Sequence, residues 1–451
     1  MNKKNRTRKP VIILHGYSDH SESFKPLAQF LKGHGFEVVE IWLADYLSMN
    51  DELTIYDLGQ AMGKALEDQK VPQIPKSFNV IAHSTGGLVV RAYLSRYFYG
   101  RPEQCPIEHL VLLAPANFGS PLAALGKSMV GRLFKGWDWD HMFQTGTRIL
   151  QSLELASPIS WELAHRDLFD PNNQLFRTNN LFTTILIGSE SYGGLKELAH
   201  ENGSDGTVRV STANLNAKSF SLVFEPSKAI SLRENMPQYD PIAFGVLYGY
   251  NHGNIVNPTT KPREDASDLG TLILDGLNID ASGAYQDHIG LLQKLTQTTF
   301  QKGQAKGNPL NERYHEYQNA TVRVHDQFRE MIPDYFLEFF QEKDDSADRV
   351  MRDVRKEILE KVHCYSGDAS YRSFFFDITD LKDKVLSKGG ELDLSIAVAA
   401  KSERIFYNNP QGHIVAAGAK DNTFLVPNAT LFLDIQVDRL QSDEVFRLKK
   451  F

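Results

Sequence analysis

The sequence predicts a two-part chain: an α/β region built on a mostly parallel sheet with helices on both faces, then a smaller β-rich region. Three observations carry this. Short apolar segments alternate with amphipathic ones through the first three hundred residues, a polar Gly- and Pro-containing stretch interrupts the rhythm, and beyond it strands follow one another without intervening helices. At 451 residues the chain exceeds what one hydrophobic core usually holds, so two domains are expected.

The predicted parallel strands are Val11–Leu14, Glu37–Leu43, Phe78–Ala82, Leu110–Ala114, Thr183–Gly188 and Ile242–Tyr248. Between Ala114 and Thr183 the alternation breaks. A segment spanning about 116–180 reads as an insertion, a lid or cap that carries Trp137, Trp139 and Trp161 with Phe134, Met142 and Phe143 close by. Trp137, Trp139 and Phe143 are its candidate substrate-pocket residues. Glycines at 126, 131 and 136 suit a mobile cover over a pocket. The competing reading is that the tryptophans anchor extra helices to the core.

Tyr285–Gln297 reads as a helix, and Gln301–Pro309 as a linker. Residues 1–305 therefore form the expected α/β domain, the one that carries the candidate catalytic residues named below, and 310–451 a β-rich accessory domain. In the latter, strands are expected at Ala320–Val324, Tyr335–Phe340, Phe374–Ile378, Glu391–Ala399 and Thr430–Val437, with a helix over Asp345–Lys361. The lack of βα alternation predicts a mainly antiparallel, sandwich-like arrangement. His363 and Cys364 are adjacent there. Neighbours in a strand point to opposite faces, so one is expected buried and one exposed, without joint chemistry.

Composition narrows the function classes. A net charge of −7 argues against a nucleic-acid partner, which needs clustered Lys and Arg. Lys3, Lys4, Arg6, Arg8 and Lys9 read as a solvated tail. No apolar run is long enough to cross a bilayer, and no signal peptide is visible, although a mature secreted form would read the same. The two cysteines, Cys105 and Cys364, fall in different predicted domains, which argues against a structural disulfide.

The chemistry is carried by Phe78–Gly87, where an apolar strand runs into Ser84 and then into a helix marked by Leu88, Val89, Ala92 and Tyr93. A serine on so sharp a turn is strained, and small residues two positions away, Ala82 and Gly86, avoid a clash. The turn presents the serine hydroxyl and aims the Thr85 N–H at developing negative charge. His83 reads as packing for this elbow. An ordinary helix N-cap is the bland alternative for Ser84.

A serine needs a base and an orienting carboxylate. Asp205 lies in Gly203-Ser204-Asp205-Gly206-Thr207-Val208, after the fifth predicted strand, and His252 in Tyr250-Asn251-His252-Gly253 after the sixth. His165, His200 and His288 compete less well: the first precedes the acid, the second lies just before it, and the third sits in a helical pattern. His15-Gly16-Tyr17 follows the first strand and supplies a second oxyanion donor, the Tyr17 N–H, opposite that of Thr85.

The His-Gly-x turn at 15–17, the Ala-His-Ser-x-Gly elbow at 82–86, Asp-Gly-x-Val at 205–208 and the His252 loop together resemble the lipase and esterase branch of the α/β-hydrolase superfamily. They cover roughly two-thirds of the chain. The acid segment looks like that of lecithin:cholesterol acyltransferase-like lipases, and Ala114–Pro121 like the post-strand segment of this branch. The resemblance implies a carboxylic-ester hydrolase acting on lipid-like acyl esters, with peripheral contact to lipid aggregates, through an acyl-enzyme on Ser84 and without cofactor or catalytic metal. A phospholipase, thioesterase or acyltransferase of the same fold is the nearest alternative, and a non-catalytic lipid- or partner-binding protein the alternative of another class.

Overall fold

The computed structural model describes all residues except 1–7, 15–20, 42–51, 126–146, 193–200, 225–229, 305–310, 341–357, 389–390, 400, 403, 408–413, 418–423 and 443–451. Two compact units divide the chain: residues 1–216 with 237–314, and residues 217–236 with 315–451. The second unit thus takes up 217–236 from inside the span that the sequence assigns to the catalytic domain.

The first eight strands are β1 (Val11–Leu14), β2 (Val38–Ile41), β3 (Phe78–His83), β4 (Ile107–Leu113), β5 (Phe182–Gly188), β6 (Lys218–Phe224), β7 (Ser231–Glu234) and β8 (Ala243–Leu247). Six of them pair in the order β2-β1-β3-β4-β5-β8, parallel throughout. β1, β3 and β8 are buried at every position, as the continuous apolar runs of a parallel sheet require. All six expected parallel strands are present, with ends shifted by a few residues.

Helices join them. Ile55–Asp68 starts with a capping box in which the Thr54 hydroxyl accepts from the Asp57 N–H and the Asp57 carboxylate accepts from the Thr54 N–H. Gly86–Tyr97 follows β3 and buries ten consecutive residues, Gly86 through Ser95. Ser282–Gly303 runs longer than expected at both ends. From β1 the chain passes outward to β2, and from β3 outward the other way, so the strand order reverses between β1 and β3. In open parallel sheets that reversal opens a crevice at the strands' carboxyl ends. Strands β1 and β3 both end there.

The second unit adds β9 (Tyr317–His325), β10 (Tyr335–Phe340), β11 (Leu359–Cys364), β12 (Tyr371–Asp377), β13 (Leu392–Val398), β14 (Ile405–Tyr407), β15 (Ile414–Ala417), β16 (Thr430–Val437) and β17 (Arg439–Gln441). One sheet runs β11-β12-β9-β16-β6-β7, a second β10-β13-β15, and β14 pairs β17. Pairing is antiparallel except where β16 lies parallel to β9 and β6. Alternate residues of both larger sheets share one core, among them Phe220, Leu222, Val322, Phe374, Leu394, Ile396, Leu433 and Ile435. This is a sandwich, with one mixed sheet.

Three expectations need correction or fall away. Leu359–Lys361, expected as the end of a helix, is strand, while residues 345–357 lie outside the described residues. Cys364 is exposed and His363 half-buried, because β11 is the last strand of its sheet and neither of its faces is fully covered. The helix ending at Gly303 takes the first part of the predicted linker, and residues 305–310 lie outside the described residues.

Candidate active site

Ser84 sits at φ 53°, in the left-handed region, between the end of β3 and the helix from Gly86. A non-glycine residue there costs about 1–3 kcal/mol and persists only when its surroundings over-determine it. They do. The Ser84 N–H donates to the Leu113 carbonyl at 3.1 Å, and its carbonyl accepts from Ala116 and Gly87, each at 3.2 Å. A β-carbon on Gly87 would stand 2.8 Å from the Pro115 ring, so the post-β4 segment lies directly against the start of the elbow helix.

A buried ion pair ties that helix down. Arg91, in its middle, donates Nε to Asp167 Oδ2 at 2.7 Å, Nη2 to Asp167 Oδ1 at 3.1 Å and Nη1 to the Asn117 carbonyl at 2.7 Å, with both partners sealed from solvent. Sequence reading passed over Arg91. Its signal was a lone arginine among the buried positions Leu88, Val89, Ala92 and Tyr93.

His252 bridges the serine and the acid. Its Nε2 lies 3.0 Å from Ser84 Oγ and its Nδ1 2.9 Å from Asp205 Oδ2. The other carboxylate oxygen accepts the N–H groups of Thr207 at 3.0 Å and Val208 at 2.8 Å, in a turn permitted by Gly206 at φ +92°. The backbones are joined too, since the His252 N–H donates to the Asp205 carbonyl at 3.0 Å. Asp205 is fully buried and His252 nearly so. The imidazole is thereby fixed at both nitrogens and at its main chain.

Two further contacts set the histidine loop. His83 Nε2 donates to the His252 carbonyl at 3.0 Å, with the two rings 4.7 Å apart, which gives the elbow-packing role expected for His83 a definite partner. A β-carbon on Gly188, at the end of β5, would stand 2.1 Å from the Tyr250 carbonyl oxygen. Only glycine lets the loop pass so close.

Of the competing histidines, His165 stacks on Trp161 with ring centroids 4.6 Å apart, and His200 lies outside the described residues. His288 shares a hydrogen bond with Thr184 Oγ1 at 3.1 Å on a buried helix face, where burial lowers its imidazole below the ordinary value. Thr85 is buried at the start of the elbow helix. Tyr17, Trp137, Trp139 and Phe143 lie outside the described residues.

Among the described residues, His315, Asp377 and Asp380 come close enough to hold a metal ion, their ligand atoms within 4.8 Å of one another. None of them touches Ser84, Asp205 or His252 in the contacts described above. His315 Nδ1 is already bonded to Asp377 Oδ2 at 2.6 Å, and Asp377 caps the helix Ile378–Lys384, whose positive end disfavours a cation.

Residues 10–130 match the sequence family described as palmitoyl protein thioesterase, a span that includes Ser84. No curated protein matches the chain. Two solved structures match at full length: phospholipase PlaB from Legionella pneumophila at TM-score 0.81, and the same protein in complex with thio-NAD at TM-score 0.80. Each is 23% identical, and each comparison covers 98% of this chain and 96% of the other. The chain thus has the α/β-hydrolase fold.

Proposed function

We propose that this protein is a serine carboxylic-ester hydrolase acting on lipid-like acyl esters, with Ser84, His252 and Asp205 as its catalytic triad. One observation carries the reading: His252 spans Ser84 Oγ and Asp205 Oδ2 at hydrogen-bond distance on both sides. A buried imidazole held between a strained serine and a fully buried carboxylate has the parts of an acyl-transfer site.

In this mechanism Ser84 Oγ attacks the ester carbonyl while His252 Nε2 takes its proton. Asp205 Oδ2 accepts the Nδ1 hydrogen, fixes the tautomer and stabilises the imidazolium. The N–H groups of Thr85 and Tyr17 receive the oxyanion, two donors of a kind each worth about a hundred- to a thousandfold in rate. His252 then protonates the leaving alcohol, and a water activated by the same imidazole releases the acid from Ser84.

Residues 1–305 supply the chemistry, the insertion at 116–180 covers the acyl pocket through Trp137, Trp139 and Phe143, and the region from 310 onward is accessory. A phospholipid substrate, met at a lipid surface, is the second reading. It is favoured by the likeness to a phospholipase that runs through both units of the chain, whereas the thioesterase family match ends at residue 130. The test is hydrolysis of p-nitrophenyl esters of increasing chain length, with phosphatidylcholine vesicles alongside. Turnover that rises with chain length and vanishes in Ser84→Ala is expected. Equal turnover by Ser84→Ala would sink the proposal.

A further inference from the structure

The loop that carries Asp205 is closed at its base by a second buried ion pair. Arg209 donates Nε to Glu201 Oε2 at 2.7 Å and Nη2 to Glu201 Oε1 at 3.2 Å, a fork on a fork. Only 1% of the Arg209 side chain and 8% of the Glu201 side chain is exposed. Charged side chains are almost never buried so deeply unless paired. In the sequence Arg209 stands between Val208 and Val210, both buried as well.

Between the two partners the chain makes a tight hairpin with Asp205 near its tip. Ser204 bridges to Arg209, the Val210 N–H donates to the Gly203 carbonyl at 2.9 Å, and the Asp205 N–H donates to the Val208 carbonyl at 3.1 Å. Gly203 at φ +65° and Gly206 at φ +92° let the chain turn on either side of the acid. The arm that begins at Arg209 is anchored: its carbonyl accepts the N–H groups of Thr212 at 3.0 Å and Ala213 at 3.1 Å, and Thr212 Oγ1 donates to the Gly119 carbonyl at 3.0 Å. The arm that begins at Glu201 is held by the Gly203 N–H on the Arg313 carbonyl at 3.2 Å and by the guanidinium across the mouth of the loop.

We propose that Arg209, through its forked bond to Glu201, is the positioning residue for Asp205, locking the acid loop so that Oδ2 stays 2.9 Å from His252 Nδ1. The inference rests on the reading of Ser84, His252 and Asp205 as a triad. A bidentate guanidinium–carboxylate pair fixes direction as well as distance. It is a poor source of stability, because taking two charges out of water costs about as much as their attraction returns. The effect of the pair therefore falls on geometry. A displacement of about 1 Å at a catalytic group costs on the order of a hundredfold in rate.

The test is the paired change Arg209→Met with Glu201→Met in the full chain, which leaves no lone charge buried and puts two flexible thioethers in place of a rigid fork. On p-nitrophenyl butyrate kcat should fall by about a hundredfold with KM unchanged, while the midpoint of urea unfolding stays level. In an Asp205→Asn background the same paired change should lower kcat by no more than about threefold, because no carboxylate is left to place. A pair that merely held the fold together would remove the same factor in both backgrounds. Glu201→Gln keeps the volume and breaks one prong, so it serves if the paired variant does not fold. It should lower kcat by a smaller factor, again with KM unmoved and again without effect in Asp205→Asn. The inference is overturned if the folded variants keep the parent kcat, or if their loss is as large in Asp205→Asn as in the parent. Failure of the hydrolase reading would look different: Ser84→Ala and Asp205→Asn would themselves match the parent, and the inference would fall with it.

Discussion

Replacing Gly188 with alanine should disable catalysis without touching a catalytic residue. The added carbon would lie 2.1 Å from the Tyr250 oxygen, 2.5 Å from its carbonyl carbon and 3.0 Å from the Asn251 nitrogen, all of them backbone. Gly188 is not at positive φ, so the cost is contact rather than strain. Ordinary contact begins near 3.4 Å, so strand and loop must separate by about 1.3 Å. His252 is two residues beyond Tyr250, and its Nε2 stands 3.0 Å from Ser84 Oγ. A displacement of about 1 Å at such a site costs on the order of a hundredfold, or about 2.7 kcal/mol of transition-state stabilisation. The assay is kcat/KM on p-nitrophenyl butyrate, with circular dichroism to confirm folding. Gly245→Ala on β8 is the control, because its added carbon meets the flexible Leu292 side chain at 3.0 Å and should spare activity. A folded Gly188→Ala protein within threefold of the parent would refute this account of how the base is placed.

Asp205→Asn should lower kcat by about 10⁴ with little change in KM, because an amide can hold His252 in the wrong tautomer; loss in KM alone would contradict the role. Arg91→Leu should cost about 3–5 kcal/mol in urea unfolding by leaving Asp167 buried and unpaired, and adding Asp167→Leu should restore most of it. At Asp434, burial acts to raise the carboxyl, but hydrogen bonds from His325 and Arg323 outweigh it and hold the group well below the usual carboxylate range. The lowered folded value means its stabilisation is complete above about pH 4 and fades as pH falls further. Asp434→Asn should therefore be less stable than the parent at pH 7, with the gap narrowing by pH 3; a gap of equal size at both would be contrary.

The parallel sheet was legible because each of its strands is a short apolar run, and the cluster of Ser84, Asp205 and His252 because each residue follows such a run. What escaped was long-range. Lys218–Phe224 alternates Phe220, Leu222 and Phe224 inward, a plain strand signal, yet nothing local tells that it pairs with β16 two hundred residues away. Gly188 looked like a strand end, and its closeness to Tyr250 exists only once β5 and β8 are neighbours. The β11 segment combines Glu360, Lys361 and His363 with only two apolar residues, a pattern that fits an exposed helix as well as an edge strand. Arg91 was visible as an oddity, but its partner Asp167 comes from a segment whose position no periodicity fixes.

The central claim is that His252 activates Ser84. The most direct test is the labelling rate of the full chain with a fluorophosphonate, with the modified residue located by mass spectrometry, in the parent and in His252→Ala. A single label on Ser84, slowed at least a thousandfold without the imidazole, is the predicted result. A folded parent that takes no label, or a rate that His252→Ala leaves unchanged, would contradict the account.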